Sequence, residues 1–423
     1  MSERRPKRQS LARRFFSALG PGLVTGAADD DPSGVATYSI TGAQLGTSLL
    51  WTASLTWPLM GAVQMMCARI GMVTGRGLAG AMKQEFPRWI LIIFSVALLL
   101  ANTINIAADL SGMADAAEML TGVNSHFFVV GFGAGIAWAT IRLRYFQIAR
   151  ILKWLALILF AYIVTALKVR VNWSEVAREA FLPAIPASRE AWAGLVAILG
   201  TTISPYLFFW QAAQEVEEEN AMGRRMLVDR LGATNKEIAD RRLDVGVGTF
   251  FSNLVMFFII LTTALTLHRH GITHIQTSRQ AAEALAPFAG RFAAALYAAG
   301  LIGVGLLAIP TLSGSAAYAF AETFDWEFGL NQKLRNARYF YSVVILSTAA
   351  GIFLDFADVN PIRALYWSAI LNGLLAPFLL IAILIVAFDG KVMCGQPSSM
   401  LSRVVVGVTT AVMFAAAFGM FVF

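Results

Sequence analysis

A single stretch of sequence decides the fold, and it reads Ala28-Asp29-Asp30-Asp31-Pro32-Ser33-Gly34. It places three carboxylates and a proline between two apolar segments, residues 15–27 and residues 35–45. Together the two segments are long enough to cross a bilayer, which takes about 20 mostly apolar residues. Lipid cannot satisfy the backbone groups that a break exposes, so breaks at this depth occur where they line a cavity or a site. The stretch therefore predicts a membrane span that unwinds at a functional site.

A second apolar segment carries a similar interruption, which reads Thr201-Thr202-Ile203-Ser204-Pro205-Tyr206. Asp31 and Ser204 are residue types that cap a helix by accepting from free N–H groups of its first turn. Pro32 and Pro205 suit the first helical position, where no N–H is needed. Each break is therefore predicted to end one half-helix and to begin the next.

The composition excludes a soluble chain. Of the 423 residues, 57% are hydrophobic and 14% are charged, whereas soluble domains have about 45–50% apolar and about 25% charged residues. The same numbers exclude intrinsic disorder, and two cysteines exclude a disulfide scaffold. A multi-pass membrane protein is what remains.

Eleven apolar segments are predicted to span the membrane: 15–43, 47–72, 89–112, 125–141, 145–167, 191–216, 244–267, 291–320, 338–357, 361–388 and 401–423. Breaks in the first and sixth segments predict two inverted five-helix repeats with the site between their unwound first helices. The fold class is therefore an all-α multi-pass membrane protein with a 5+5 repeat. The predicted boundaries are a basic tail at 1–14, the first repeat at 15–167, an outside loop at 168–190, the second repeat at 191–388, and a cytoplasmic loop with the eleventh helix at 389–423.

The charge distribution predicts the orientation. The formal net charge is +7, and much of it lies in the basic tail. The remaining lysines and arginines fall mostly in the loops on the same side as the tail, which predicts a cytoplasmic N-terminus and an outside C-terminus in the cytoplasmic membrane. Nucleic-acid binding would need a folded basic face and is not expected. The lipid bilayer is the expected surrounding, and no obligatory protein partner is evident.

Two motifs resemble a known family. Gly20-Pro21-Gly22 followed by Asp31-Pro32-Ser33-Gly34 resembles the first-span signature of the Nramp (natural resistance-associated macrophage protein) metal transporters, which reads Gly-Pro and then Asp-Pro-Gly-Asn. Ser204-Pro205-Tyr206 falls where that family carries Met-Pro-His. The resemblance covers essentially the whole chain. It implies an amino-acid-transporter-like fold and proton-linked uptake of divalent metals such as manganese and iron.

The resemblance also implies a set of substrate-binding positions, several of which have changed. The metal-binding Asp matches Asp31, so Asp31 is the metal ligand if the substrate is a cation. The positions of the other ligands fall on Ala28 and Thr201 (backbone carbonyls), Gly34 (Asn in the family), Ser204 (Met), and Tyr206 and Gln211 (His). Every soft or nitrogen ligand is therefore replaced. The remaining oxygen ligands suit hard ions such as magnesium.

Other polar residues in the apolar segments are predicted to carry protons or charge, because intramembrane carboxylates mark ion or proton pathways. They are Asp29, Asp30 and Asp109, the last of which matches the Asp of the family's third-span proton-path element. Arg338 could serve the same path, although an anchor at the inner edge is the simpler interpretation. Asn372, in the middle of the tenth span, is predicted to line the cavity.

The acidic end of the sixth span, residues 214–219, leaves two interpretations open. It could be a solvated helix end with charge pairing, or a gate that latches onto a cytoplasmic arginine.

The function predicted from these features is secondary transport of a small inorganic ion by alternating access, with possible coupling to protons. One hypothesis is a hard divalent cation bound by Asp31. The alternative is a small anion such as bicarbonate, bound by hydrogen-bond donors and by the partial positive charge of two half-helix N-termini. No cofactor is expected. An enzyme is not expected either, for want of a nucleophile–base or metal-ligand constellation.

Overall fold

The computed structural model describes residues 21–143, 157–184, 188–357 and 359–423. The predicted basic tail, the start of the first span and most of the fifth span lie outside the described residues. Within the described ranges the chain is helical and contains no strand. In chain order the α-helices are α1 Pro21–Asp29, α2 Pro32–Leu45, α3 Trp51–Thr74, α4 Leu78–Met82, α5 Arg88–Thr121, α6 Ser125–Arg142, α7 Ala161–Lys168, α8 Trp173–Phe181, α9 Arg189–Thr202, α10 Pro205–Ala221, α11 Leu227–Arg230, α12 Asn235–Thr266, α13 Ser278–Glu283, α14 Ala286–Ala289, α15 Ala293–Phe324, α16 Arg338–Asp355, α17 Pro361–Phe388 and α18 Met400–Val422.

Six helical segments in the described part of the chain are long and apolar enough to cross a membrane. They are Arg88–Thr121, Arg189–Ala221, Asn235–His270, Ala286–Phe324, Pro361–Phe388 and Met400–Val422. These correspond to the predicted third, sixth, seventh, eighth, tenth and eleventh spans. The other five spans, and with them the total of eleven, stay predictions.

The first break lies where the sequence predicts it. Helix α1 ends at Asp29 and α2 begins at Pro32. Asp31 has an extended backbone, and its side chain accepts a hydrogen bond from the N–H of Gly34 at 2.7 Å. The carboxylate satisfies a donor that the first turn of a helix leaves free, as expected of an N-cap residue.

The second break also lies where it was predicted, but the predicted role of Ser204 as a cap is wrong. Helix α9 ends at Thr202 and α10 begins at Pro205. The Ser204 hydroxyl lies 2.7 Å from the carbonyl oxygens of both Gly200 and Thr201, to either of which it can donate its single proton, and it accepts no capping hydrogen bond from α10. The free carbonyls at the end of α9 and the free N–H groups at the start of α10 compete for a hydrogen bond with the Ser204 side chain. In this structure the hydroxyl bonds to the carbonyls.

Each broken helix packs against a helix from the opposite half of the chain. Helices α1 and α2 pack on α12, while α10 packs on α3 and also on α15 of its own half. This exchange is the pattern expected of an inverted pair of repeats, although the repeat itself stays a prediction. The contact between α1 and α12 is a backbone contact, because a Cβ added at Gly26 would lie 2.5 Å from the backbone of Gly248.

Candidate functional site

The Asp31 carboxylate lies at the meeting point of both breaks, within hydrogen-bond distance of four donor groups. Its Oδ1 accepts from the Gly34 N–H at 2.7 Å and from the Ser33 hydroxyl at 2.9 Å. Its Oδ2 accepts from the Asn105 amide at 3.2 Å and lies 3.5 Å from the Tyr206 hydroxyl. Two of these groups come from α2 itself and the other two from α5 and α10. The carboxylate is therefore held by three helices and is 1% exposed.

An amide relay, which we define as Asn105 and Asn372, links the site to α5 and α17. The Asn105 Nδ2 donates to Asp31 and also to Asp109 Oδ2, both at 3.2 Å. The Asn372 Nδ2 donates to Asn105 Oδ1 at 3.0 Å. The relay places Asp109 and Asn372, both predicted from the sequence, in one network with Asp31. Asn105 was missed, although an amide one helical turn before an intramembrane aspartate was a usable signal.

Hydroxyl groups occupy both backbone carbonyls that the family resemblance implied as ligands. The Tyr206 hydroxyl donates to the Ala28 carbonyl at 3.0 Å. The Ser204 hydroxyl donates to the Thr201 carbonyl. The residues at the positions of the lost Met and His therefore satisfy the carbonyls from within the protein. Each carbonyl keeps a second lone pair for another partner.

The neighbouring carboxylates of Asp29 and Asp30 face α12 and share one donor. The Ser252 hydroxyl lies 2.6 Å from Asp29 Oδ2 and 3.2 Å from Asp30 Oδ1. A hydroxyl has a single proton to donate, so at any moment only one carboxylate receives it. Ser252 was also missed, and a lone serine in an apolar span gave no signal.

Gly34 allows the two broken helices to approach closely. A Cβ at this position would lie 3.0 Å from the Thr201 Oγ1 and 3.4 Å from the Asp31 Oδ1. The position that carries an Asn ligand in the family is therefore occupied by backbone here, with no space for a side chain unless Thr201 moves.

Four carboxylates, those of Asp29, Asp30, Asp31 and Asp109, lie together in the interior and are 0–4% exposed. Among the described residues, their hydrogen-bond partners are all neutral: hydroxyls, one amide side chain and the backbone N–H groups of Ser33 and Gly34. None of the four forms an ion pair with a described basic side chain. Burying a carboxylate without a positive partner is costly, so binding a cation or protons would stabilise this cluster.

Two predicted site residues lie elsewhere. Gln211 donates to Glu215 at 2.7 Å and makes no hydrogen bond to the Asp31 network in the described structure. Five residues are about 1.4 helical turns, so Gln211 is turned away from the face that carries Tyr206. Arg338 is exposed at the start of α16, where its guanidinium lies 4.7 Å from the ring centroid of Tyr339. This position fits the edge anchor, and the charge path through Arg338 stays a prediction.

The interpretation of the acidic end of the sixth span as a solvated helix end is also wrong. Glu215, Glu217 and Glu219 are buried. Glu215 pairs with Arg241 of α12 at 2.7 Å, and Arg241 also pairs with Glu218 and, at 2.6 Å, with Asp244. We call these four residues (Glu215, Glu218, Arg241 and Asp244) the Arg241 cluster. The cluster joins α10 to α12, and Asp244 extends it to α1 by accepting from the Gly22 N–H at 2.7 Å.

The described residues contain no group of three or more His, Cys, Asp or Glu side chains arranged to hold a metal ion. An ion at Asp31 would therefore be bound mostly by hydroxyls, amide oxygens, carbonyls and its own water molecules.

These features define a class: a helical membrane protein in which two broken helices meet at a buried ionic site is a transporter, not an enzyme. Comparison with known proteins agrees. The chain from residue 22 to residue 423 matches the profile of the family described as natural resistance-associated macrophage protein-like. The chain belongs to the Nramp family.

Curated relatives and a solved structure support this assignment. The divalent metal cation transporter MntH of Caldanaerobacter subterraneus subsp. tengcongensis is 25% identical over 411 residues, covering 93% of this chain and 89% of the relative. The MntH of Yersinia enterocolitica is 27% identical over 309 residues, covering 71% of each chain. A crystal structure of the Eremococcus coleocola manganese transporter has the same fold, with a TM-score of 0.77 at 17% identity, covering 97% of this chain and 87% of that one.

Proposed function

We propose that this protein is a secondary transporter that moves a hard divalent cation such as Mg²⁺, rather than Mn²⁺ or Fe²⁺, across the cytoplasmic membrane. The observation that carries the proposal is the buried cluster of four carboxylates whose described partners are all neutral. A cation satisfies this cluster, whereas an anion would add to its negative charge. The curated relatives are named divalent metal cation transporters, which supports the same sign of charge.

The donor types favour a hard ion. The site offers carboxylate, hydroxyl, amide and carbonyl oxygens but no thioether or imidazole at Ser204 or Tyr206. Soft ligands select transition metals, while oxygen ligands suit Mg²⁺. Mg²⁺ also keeps several of its water molecules when it binds to proteins, which fits a site with a single carboxylate at its centre.

The two breaks supply the mechanism. Asp31 binds the ion between the half-helices, and Ala28 and Thr201 offer carbonyl oxygens beside it. In the structure Asp31 is buried, with 1% exposed. Alternating access then requires the half-helices to move so that Asp31 opens first to one side and then to the other. With the N-terminus inside, uptake runs toward the side of the Arg241 cluster.

Asp29, Asp30 and Asp109 are proposed to carry protons or compensating charge during this cycle. Asn105 donates to both Asp109 and Asp31, so binding of a cation or a proton at one carboxylate changes the hydrogen bonding of the other. Asp29 and Asp30 share Ser252, which restricts the pair to one hydrogen bond at a time.

Bicarbonate uptake is the second candidate, and one observation favours it. Hydrogen-bond donors surround Asp31, including the Gly34 N–H at the start of α2, and hydroxyls already occupy the carbonyls that a cation would use. If the carboxylates are protonated, the same donors could bind a small anion.

Proteoliposomes separate the two candidates. We would reconstitute the wild type and Asp31→Ala and record an internal Mg²⁺ dye and an internal pH dye, under a Mg²⁺ gradient and then under a bicarbonate gradient. The cation proposal expects Mg²⁺ entry in the wild type and none in Asp31→Ala. Asp115→Ala serves as the matched control, since in the described part of the chain Asp115 accepts from the Ser278 backbone N–H and not from the groups around Asp31. Bicarbonate-dependent alkalinisation without any divalent-ion entry would overturn the cation proposal in favour of the anion.

A further inference from the structure

We propose that Asn105 is a switchable ligand of the transported cation, which supplies the amide oxygen that Gly34 cannot. This inference rests on the proposed cation transport. In the structure, the Asn105 Nδ2 donates to Asp31 and to Asp109, so the amide bridges the two carboxylates. Asn105 is fully buried on α5.

A cation on Asp31 makes this arrangement unfavourable. The NH₂ group of Asn105 would then point its partial positive charge at the ion. A half-turn of the terminal amide torsion exchanges nitrogen and oxygen without moving the backbone, and this torsion is broad and nearly two-fold. After the half-turn, Oδ1 lies where Nδ2 was, within reach of an ion bound to Asp31. Amide oxygens are ordinary ligands for hard cations.

Asn372 is placed to accompany this rotation. Its Nδ2 now donates to Asn105 Oδ1 at 3.0 Å, while its own Oδ1 is buried without a hydrogen-bond partner. If Asn105 rotates, its Nδ2 points to Asn372. A half-turn of Asn372 then presents the idle Oδ1 to that donor, so the bond between the two amides survives with its direction reversed. The Asn372 NH₂ group then takes the place of its Oδ1, so the exchange keeps the bond between the two amides and leaves one end of Asn372 without a protein partner in either arrangement.

The pair thus has two arrangements of equal shape. In the first, Asn105 donates to the carboxylates and accepts from Asn372. In the second, Asn105 gives its oxygen to the cation and donates to Asn372. The sequence offers an internal comparison in Asn102, one turn earlier on α5. It donates to the Leu312 carbonyl at 2.8 Å and to Ser315 at 2.9 Å, and none of its hydrogen bonds among the described residues goes to Asp31.

Cation-dependent thermal stability of the purified full-length protein tests the inference, because a ligand that binds the folded state stabilises it by mass action. We would titrate MgCl₂ and record the shift of the melting temperature for the wild type, Asn105→Ala, Asn105→Asp and Asn102→Ala. The half-saturating Mg²⁺ concentration is expected to rise about 10- to 100-fold in Asn105→Ala, the size of effect that supporting residues have at metal sites. The half-saturating Mg²⁺ concentration of Asn105→Asp is expected to equal that of the wild type or to be lower, because Asp keeps a ligand oxygen and loses only the N–H donor.

The outcomes separate the inference from the proposed function. Asn102→Ala is expected to melt at a lower temperature but to keep the wild-type half-saturating concentration. The inference is overturned if Asn105→Ala behaves as Asn102→Ala does. It is also overturned if Asn105→Asp loses Mg²⁺ response as severely as Asn105→Ala, since the amide would then act only as a donor. A wild type that no divalent cation stabilises, matched by an equally unresponsive Asp31→Ala, would overturn both the inference and the proposed cation transport.

Discussion

Replacing Arg241 with Met is expected to destabilise the fold strongly, because Arg241 supplies the counter-charge for two buried carboxylates. Glu215 is 2% exposed and Asp244 is fully buried. The guanidinium pairs with them at 2.7 and 2.6 Å and also pairs with Glu218. Met keeps most of the length of the side chain and removes only its charge and donors. Removing one partner of a buried ion pair costs about 3–5 kcal/mol.

That loss corresponds to a factor of roughly 10² to 10^3.5 in the folding equilibrium, since about 1.4 kcal/mol is a factor of ten. Unfolding of the purified protein in detergent, followed by tryptophan fluorescence against denaturant, measures it. Arg242→Met is the matched control, because Arg242 is the next residue on α12, is exposed and has no ion pair among those in the described structure. A loss for Arg241→Met below about 1 kcal/mol, the usual worth of an exposed pair, would refute the assignment of the cluster as a buried network.

Two further substitutions test the packing and the carboxylate cluster. Gly26→Ala is expected to lower the free energy of unfolding by about 1–3 kcal/mol, as overpacking does, because the new Cβ would lie 2.5 Å from the Gly248 backbone. The control Gly246→Ala on α12 meets nothing within 4 Å and is expected to be neutral or mildly stabilising. Denaturant unfolding of both variants measures the difference, and equal stabilities would contradict the backbone contact. Ser252→Ala removes the one side-chain donor that Asp29 has in the described structure, so the free energy of unfolding is expected to fall by about 1–3 kcal/mol. An unchanged unfolding midpoint would show that the hydroxyl does not stabilise the carboxylate.

The positions of both breaks could be predicted because they depend on local chemistry. A proline at the first helical position and a capping residue before it act within one turn, and Asp31-Pro32 satisfies this without help from other helices. Ser204 shows the limit of such reasoning. Its hydroxyl had two sets of free backbone groups within reach, and the sequence does not say which set takes it.

The partners from other helices could not be predicted, since their contacts depend on tertiary packing. Asn105 and Ser252 reach the aspartates from α5 and α12, and nothing in their local sequence specifies the partner. The acidic end of α10 is paired with Arg241, which lies 26 residues after Glu215 in the chain. Gln211 lies away from the Asp31 network for a geometric reason, because its position on α10 places it on a different face of the helix from Tyr206.

The account depends on one claim, that Asp31 and the carboxylates around it bind a cation. The sign of the charge displaced on a solid-supported membrane tests this claim most directly. A Mg²⁺ concentration jump without bicarbonate is predicted to displace positive charge into proteoliposomes that carry the wild type, and to displace none in proteoliposomes that carry Asp31→Ala. No displacement with Mg²⁺, together with negative charge displaced by a bicarbonate jump, would contradict the account.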